Sequence, residues 1–497
     1  MKLRILSLLA ACLMLLTVFV ACQDDGEGSG TGQVTTDGYS GQYAADVPKK
    51  NYNGATFTIM CRDPEMGWGE MAIVSDDQGV TVLEDAAYNR NARLEADYGI
   101  KMEFYTFLDS LASGDTFYKT LFENLNAQDD IADICIPGII DAAALAPMGL
   151  FYDLSGGDLP YVDLSNPWWN QSINDSLKIV NRQYFAINDA LLNDKLDTYV
   201  MFFNKTVFDD KQMEYPYSMV DDGTWTIDAF YNMAVTHGSD LNFNGVEDYE
   251  DAFGLVGMVY DIFYVGSGIT GAALDEEGIP YMREYDAKTD AVFSKAVKIL
   301  SETSHLNYAV GQEPLVNNDI NDTFAAVFNQ KTMFMCGPLG FYFSIITDME
   351  SDVGLLPCPK YDEAQTRYYH RAGYNGATAI TVLTTVKDKE RAGILLEAFS
   401  AESKNYISPA FYETLLTDRY AQDEESKAMI SLVIETEIFD LDQIFRWGAM
   451  LEQLQGLAAR GQGSAATVYG RFLNIAKNKL ETTVEGYREL ISLEKGS

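Results

Sequence analysis

The chain has 497 residues, 47% hydrophobic and 12% aromatic, which suffices for ordinary globular cores and is too long for one of them. Its 35 Lys and Arg stand against 74 Asp and Glu, a net charge of −39 at neutral pH. With no basic patch to offset it, that charge argues against nucleic acid and anionic membrane surfaces, and less strongly against an anionic ligand.

Lys2 and Arg4 precede an apolar run over residues 5–20, which ends at Ala21-Cys22 with Gln-Asp-Asp following at once. The run is short for a membrane span and lacks a basic stop-transfer flank, so it reads as a cleaved signal peptide, residues 1–21. The small residue before Cys22 resembles a bacterial lipobox, with Phe19 where Leu or Ile is usual. Cleavage there would make Cys22 the lipid attachment point and anchor the chain outside the cell. An ordinary secretory signal containing Cys22 is the alternative. Residues 22–50 are mostly Gly, Ser, Thr, Asp and Gln, too polar to offset the entropy of ordering, and are expected to form a flexible linker. The folded body is expected to begin at Asn51.

Thr56–Met60 after Asn53-Gly54 reads as a first strand. Residues 81–98 read as a helix with Leu83, Ala87, Leu94 and Tyr98 on one face and Gly99 closing its end. Ile100–Tyr105 alternates as a second strand, 115–126 suggests a helix, and Ala132–Ile136 a third strand. Strand, helix, strand, helix, strand implies a parallel sheet covered by helices, with ligands beyond the carboxyl ends of its strands. Trp68, in the loop after the first strand, is then expected to face a cleft. The alternation restarts at Thr198–Phe203. Thr226 is a candidate N-cap for a helix over 225–236. Residues 290–304 read as helix, 353–356 as strand, and 388–494 as mostly helix. No further stretch is long and apolar enough for a transmembrane helix. Cys61, Cys135, Cys336 and Cys358 lie in predicted strands without metal spacing; two disulfides, one per lobe, and four buried thiols are both open readings.

Asp240-Leu-Asn242-Phe-Asn244-Gly245-Val246-Glu-Asp248-Tyr-Glu-Asp251 carries the strongest chemical signal. Oxygen side chains fall at loop positions one, three, five, nine and twelve, with glycine at six and the Val246 carbonyl at seven, as in an EF-hand calcium loop. Asp251 stands where glutamate is usual, so closure at position twelve is shorter. The expectation is one structural calcium ion; an Asx-rich turn without metal is the plain alternative. Catalytic motifs are absent: His237, His305 and His370 have no zinc spacing, and there is no nucleophile elbow, phosphate loop or dinucleotide fingerprint.

Several segments in order resemble extracellular solute-binding proteins of carbohydrate ABC transporters, the group that includes maltose-binding protein. They are Asp85-Ala-Ala-Tyr-Asn-Arg-Asn91, Asn166-Pro-Trp-Trp-Asn170, Tyr199–Lys205, Gly223-Thr-Trp-Thr-Ile-Asp228, Phe253-Gly-Leu255, Gly354-Leu-Leu-Pro357, Leu396-Glu-Ala-Phe399 and Tyr420–Ser426. The resemblance implies an α/β fold of two lobes, each a mixed, mostly parallel sheet flanked by helices. Residues 51–190 and 372–412 would form the N-lobe, and 191–371 and 413–497 the C-lobe, with crossings near 190, 371 and 412. It implies a non-enzymatic, monomeric receptor that closes on a sugar and delivers it to an ABC permease. Candidate ligand residues are Trp68, Trp169, Asn188, Asp189, Asp197 and Trp447: aromatic faces for sugar rings, acids and amides for hydroxyls. Of Trp168 and Trp169, one is expected in the core, as is Trp225. Leu339 stands where the resemblance would put a stacking aromatic. A glycoside hydrolase and a surface scaffold protein are the competing functions.

Overall fold

A computed structural model of the chain describes residues 41–496 apart from 67–68, 76–80, 108–115, 260, 310–315, 330–331, 342–344, 347–348 and 416–422. Cys22 and Trp68 therefore lie outside the described residues. Asn53 and Gly54 both take left-handed φ, 55° and 81°, and turn the chain into strand β1, Ala55–Arg62. Helix α1, Val82–Tyr98, starts on a capping box in which Thr81 and Glu84 satisfy each other's backbone N–H groups. It stops at Gly99, whose φ of 59° lets the chain turn directly into strand β2, Ile100–Phe107. The expected face of α1 is the buried one: Leu83, Ala87, Leu94 and Tyr98 all lie in the core. Each such large side chain contributes roughly 1.5–3 kcal/mol by leaving water.

Helix α2, Thr116–Ala127, leads to β3, Ile134–Cys135, and the three strands pair in the order β2-β1-β3, all parallel. Residues 378–383 return much later to extend this sheet through antiparallel bridges, Cys135 to Thr381 and Ala186 to Ile380 among them. The second sheet is built from β4, Tyr199–Asn204; β5, Leu255–Gly257; β8, Asn307–Ala309; β9, Phe334–Pro338; and β10, Val353–Leu356. Its order is β10-β4-β9-β5-β8, with β4 antiparallel to both neighbours. Every residue of β4 is buried, as a central strand covered on both faces requires. Between β5 and β8 a hairpin of β6, Ala272–Leu274, and β7, Pro280–Met282, stands apart, and helix α3, Ala287–Val297, follows it.

After β11, His370–Arg371, helix α4 runs from Lys389 to Leu415 and packs along α1. Strand β12, Glu437–Ile438, pairs parallel with β11 in a separate two-stranded sheet. Helices α5, Leu441–Phe445, and α6, Met450–Arg460, follow. The last helix, α7, Ala465–Gly496, spans both lobes. Tyr469 near its start donates to the Arg283 carbonyl beyond β7, and Tyr487 near its end packs edge-on against Tyr184 of the first lobe. Among the described residues no helix is long and apolar enough to cross a membrane.

The expected linker ends earlier than the composition implied. Tyr43 N–H donates to Asn405 Oδ1, the Asn405 amide donates back to the Tyr43 carbonyl, and Lys404 lies over the Tyr43 ring. Tyr43, Ala45 and Val47 pack inward in alternation, so the strap before Asn51 belongs to the folded body. The four cysteines are buried free thiols, and no disulfide joins them.

Candidate functional site

Strand β5 ends at Gly257, and a cavity of about 510 Å³ opens there. This is the carboxyl-end position at which α/β sheets hold ligands, and the volume is that of a small-molecule site. Val259 and Asp261 continue the chain from β5 along one wall; Tyr374 and Asn375, just beyond β11, form the second; Arg446, Glu452 and Gln455, from the end of α5 and from α6, form the third. Gly257 has φ of 119°, and a Cβ there would lie 2.2 Å from the Cys336 carbonyl oxygen, so only glycine lets β5 pair with β9 at the cavity floor.

The charges of the wall are paired, Asp261 with a residue behind the wall and Arg446 with Glu452 inside it. Buried Asp261 faces Arg371 with Oδ1 to Nε at 2.5 Å. Burial pushes the Asp261 carboxyl up, and Arg371 draws it back down. Burial opposes the charge on Arg371, yet Asp261, the two tyrosines and Asp197 hold that charge more firmly than usual. Its guanidinium is sandwiched between the rings of Tyr199 and Tyr374, 4.7 and 4.3 Å from their centroids. On the more open side, Arg446 and Glu452 form a two-bond fork, Nη1 to Oε1 at 2.6 Å and Nη2 to Oε2 at 3.1 Å. The Tyr374 hydroxyl also donates to Glu452 Oε1, and the Gln455 amide donates to the Val259 carbonyl. The result is a cavity in which these polar groups stand beside an apolar lining that includes Val259, Leu300 and Ala459, with its ionised groups matched in pairs.

A network of hydrogen bonds runs beside this cavity. Arg62 at the end of β1 donates to Glu70 Oε1 at 2.6 Å and to the Gly376 carbonyl at 2.8 Å. Asp197 accepts the Gly376 N–H at 3.0 Å, and burial raises its carboxyl while Arg371 and Arg62 lower it. Gly373 packs so closely on Asp197 that a Cβ would lie 2.0 Å from Oδ2. Within β11, His370 accepts the Cys358 N–H at 3.0 Å through Nε2, so its Nδ1 carries the proton and donates to Thr436 Oγ1 at 2.7 Å. Burial holds this imidazole neutral, down to about 3.

Of the residues singled out in the sequence, Asp197 alone among those described stands beside the cavity, behind the wall made by Tyr374 and Asn375. Trp169 is buried with its indole N–H on Glu397 Oε2 at 3.2 Å; Trp168 and Asn166 donate to Glu397 Oε1. Both tryptophans of that pair are thus core residues, where one was expected. Asn188 is buried, donating to Ser400 Oγ at 2.8 Å, and Asp189 pairs with Lys404 at 3.0 Å. Trp447 is buried as well, stacked on Phe445 at 4.9 Å and donating to Thr483 Oγ1, so it offers no face to a ligand in this conformation. Trp225 is core, as expected, with its N–H on the Pro357 carbonyl, and Leu339 is fully buried. The cavity residues Asp261, Tyr374, Arg446 and Glu452 carry no motif. The one signal that could have found Asp261 is its place just beyond the carboxyl end of β5.

The loop Asp240–Asp251 lies at the surface of the second lobe. Asp240 accepts the Phe243 and Gly245 N–H groups at 2.6 and 2.9 Å, and Gly245 takes the left-handed φ of 74° that the sharp turn needs. Asn242 and Asn244 accept from Asn244 N and Val246 N, and Asp248 receives the amides of both asparagines. Asp251 is buried, accepts the Leu241 N–H at 3.0 Å, and stands 3.5 Å from His305 Nε2. Among the described residues no three His, Cys, Asp or Glu side chains converge as a metal cluster. Asp240, Asp248, Glu250 and Asp251 are turned to backbone N–H or amide donors of the loop, and Glu247 accepts from Ser304 Oγ and His305 N–H beyond it.

No family model and no curated protein matches this chain. Solved structures do. A cyclic α-maltosyl-1,6-maltose binding protein from Arthrobacter globiformis superposes with a TM-score of 0.56 at 12% identity, over 87% of this chain and 99% of that one. The galacto-N-biose/lacto-N-biose I-binding protein of a Bifidobacterium longum ABC transporter, in complex with lacto-N-biose, gives 0.55 at 12% identity over 87% and 98%. An ABC substrate-binding protein from Listeria monocytogenes in complex with cycloalternan gives 0.51 at 14% identity over 86% and 99%. The chain has the two-lobed α/β fold of these ABC substrate-binding proteins, the fold that the resemblance of its sequence implied.

Proposed function

We propose that this chain is a lipid-anchored extracellular receptor that binds a neutral carbohydrate between its lobes, unaltered, and hands it as a monomer to an ABC permease. The observation that carries the reading is the cavity at the end of β5, whose ionised groups are matched in pairs, Asp261 with Arg371 and Glu452 with Arg446. An ionic ligand would have to break one of these pairs; a hydroxylated neutral one can bond to both members of the Arg446–Glu452 pair and leave it intact. The fold supports the same reading, since the similar structures are binding proteins, two of them holding oligosaccharides. A thermal-shift screen of the pure protein against neutral saccharides tests it. Ligand at a hundred times its dissociation constant adds about 2.7 kcal/mol, and small-angle scattering should then show a smaller radius of gyration as the hinge closes. Recovery of a cleaved saccharide, or affinity that falls steeply with salt, would overturn the reading.

The anchor belongs to this proposal: Cys22→Ser should release the protein from the membrane fraction. So does calcium in the Asp240 loop. The oxygens of Asp240, Asn242, Asn244, Asp248 and the Val246 carbonyl are hard donors of the kind calcium takes, and Asp251 is close enough in sequence to close the set. A bound ion there would stiffen the surface loop and leave the cavity chemistry unchanged.

A further inference from the structure

We infer that Asp442, which does not line the cavity, is the positioning residue that gives the site its specificity: it fixes Arg446 and Glu452 as a rigid edge that reads the orientation of single sugar hydroxyls. The inference rests on the carbohydrate reading above and goes beyond it. The link between α5 and α6 contains two non-glycine residues in left-handed backbone, Arg446 at φ of 52° and Ala449 at 48°. Such residues persist only where their surroundings over-determine them. Ala449 occupies the N-cap of α6 and has no side-chain oxygen to accept the N–H groups that a helix start leaves open.

Asp442 supplies what the cap lacks. Its Oδ1 accepts from Gly448 and Ala449 at 2.7 and 3.1 Å, and its Oδ2 accepts from Met450 at 2.6 Å. The carboxylate is fully buried and wedged against Gly271, where a Cβ would lie 2.6 Å from Oδ2. Asp440, two residues earlier, grips the other side of the joint by accepting from Gly271 and Ala272 at the start of β6. Arg446 is the residue just before the clamped loop, and Glu452 is the third residue of the clamped helix. The Arg446–Glu452 fork therefore closes over a backbone that Asp442 holds still.

The fork engages one N–H from each Nη and one lone pair on each carboxylate oxygen, and the Tyr374 hydroxyl occupies a second site on Oε1. The remaining donors of Arg446 and acceptors of Glu452 stand at the cavity wall. Two neighbouring ring hydroxyls, one donating to Glu452 and one accepting from Arg446, are read together by such an edge. An epimer that turns one hydroxyl away leaves a polar group unmatched, which discriminates far more sharply than lost apolar contact.

The test is a double-mutant cycle on discrimination. Dissociation constants for two saccharides differing at one ring hydroxyl are measured calorimetrically for wild type, Asp442→Asn, Glu452→Gln and the double variant, with melting temperatures alongside. The preference of the wild type should fall at least about tenfold in each single variant and no further in the double one, because both act through one edge. Asp440→Asn should lower the melting temperature and leave the preference intact. If Asp442→Asn does not fold, Asp442→Ser, which keeps one acceptor oxygen, takes its place in the cycle. A folded Asp442 variant that retains the preference, or additive losses in the double variant, overturns the inference while the receptor reading stands. A wild type that binds no saccharide brings down the receptor reading, and the inference with it.

Discussion

The loop Asp240–Asp251 and the turn Asp440–Asp442 both satisfy backbone N–H groups with aspartate oxygens, one at the surface and one in the core. In the loop, Asp240 caps the Phe243 and Gly245 N–H groups, and water is an alternative partner for all of them. In the turn, two buried carboxylates receive six backbone N–H groups, from Gly271 and Ala272 at the start of β6, Asp442 in α5, Gly448 and Ala449 in the link, and Met450 in α6. Burial and the Asp442 charge push Asp440 up to about 8. The difference teaches that the loop's bonds are replaceable and the turn's are not. A buried N–H that loses its acceptor meets no water, so the same residue type carries very different energies at the two sites.

The largest effect should follow from emptying the buried turn. Asp442→Ala leaves three buried N–H groups without an acceptor and should cost about 3–5 kcal/mol in urea unfolding. Arg90 extends the comparison to a buried cation held mainly by neutral acceptors. It lies under the Phe399 ring and donates to the Ala72 and Ile73 carbonyls at 2.8 Å, and burial alone lowers it to about 9. Arg90→Met should cost about 3 kcal/mol, with the loop 69–75 opening first in hydrogen exchange.

The surface loop should respond to metal instead. Calcium at a hundred times its dissociation constant should add about 2.7 kcal/mol and EDTA should remove it, with Asp240→Ala insensitive to both. Identical melting in EDTA and in excess calcium would count against the ion.

His370 provides a pH handle within the buried region. The unfolded imidazole, near 6.5, takes a proton that the folded one, held near 3, refuses. Its contribution is complete above pH 6.5 and is lost as pH falls toward 3, about 2 kcal/mol between pH 6.5 and 5 at 1.36 kcal/mol per unit. Glu437, raised by burial to about 8, acts with the opposite sign across pH 4.5–8. The difference between wild type and His370→Gln in parallel pH series therefore isolates the histidine, and equal slopes would refute its role. The smallest effect is expected at the loop tip, where Phe243 is 89% exposed: Phe243→Ala should shift stability by less than about 0.5 kcal/mol.

The sequence by itself determined what depends on near neighbours. The capping box at Thr81, the stop at Gly99, the Thr226 cap and strand β10 follow from residues within a few positions of one another, and the structure has each of them. The Asx turns of the Asp240 loop are local in the same way. The order of family-like segments also pointed to the two-lobed fold, because core patterning is distributed along the whole chain. Only the tertiary structure decided which polar and aromatic residues line the cavity. Trp169 and Trp447 look like sugar platforms in a linear reading, but Glu397 and Phe445 with Thr483 draw them into the core. Asp261, Arg371, Tyr374 and Glu452 come from segments nearly two hundred residues apart, and no spacing rule joins them. Their pairing is a property of the folded backbone, since charges are matched in space and burial sets the strength of each match.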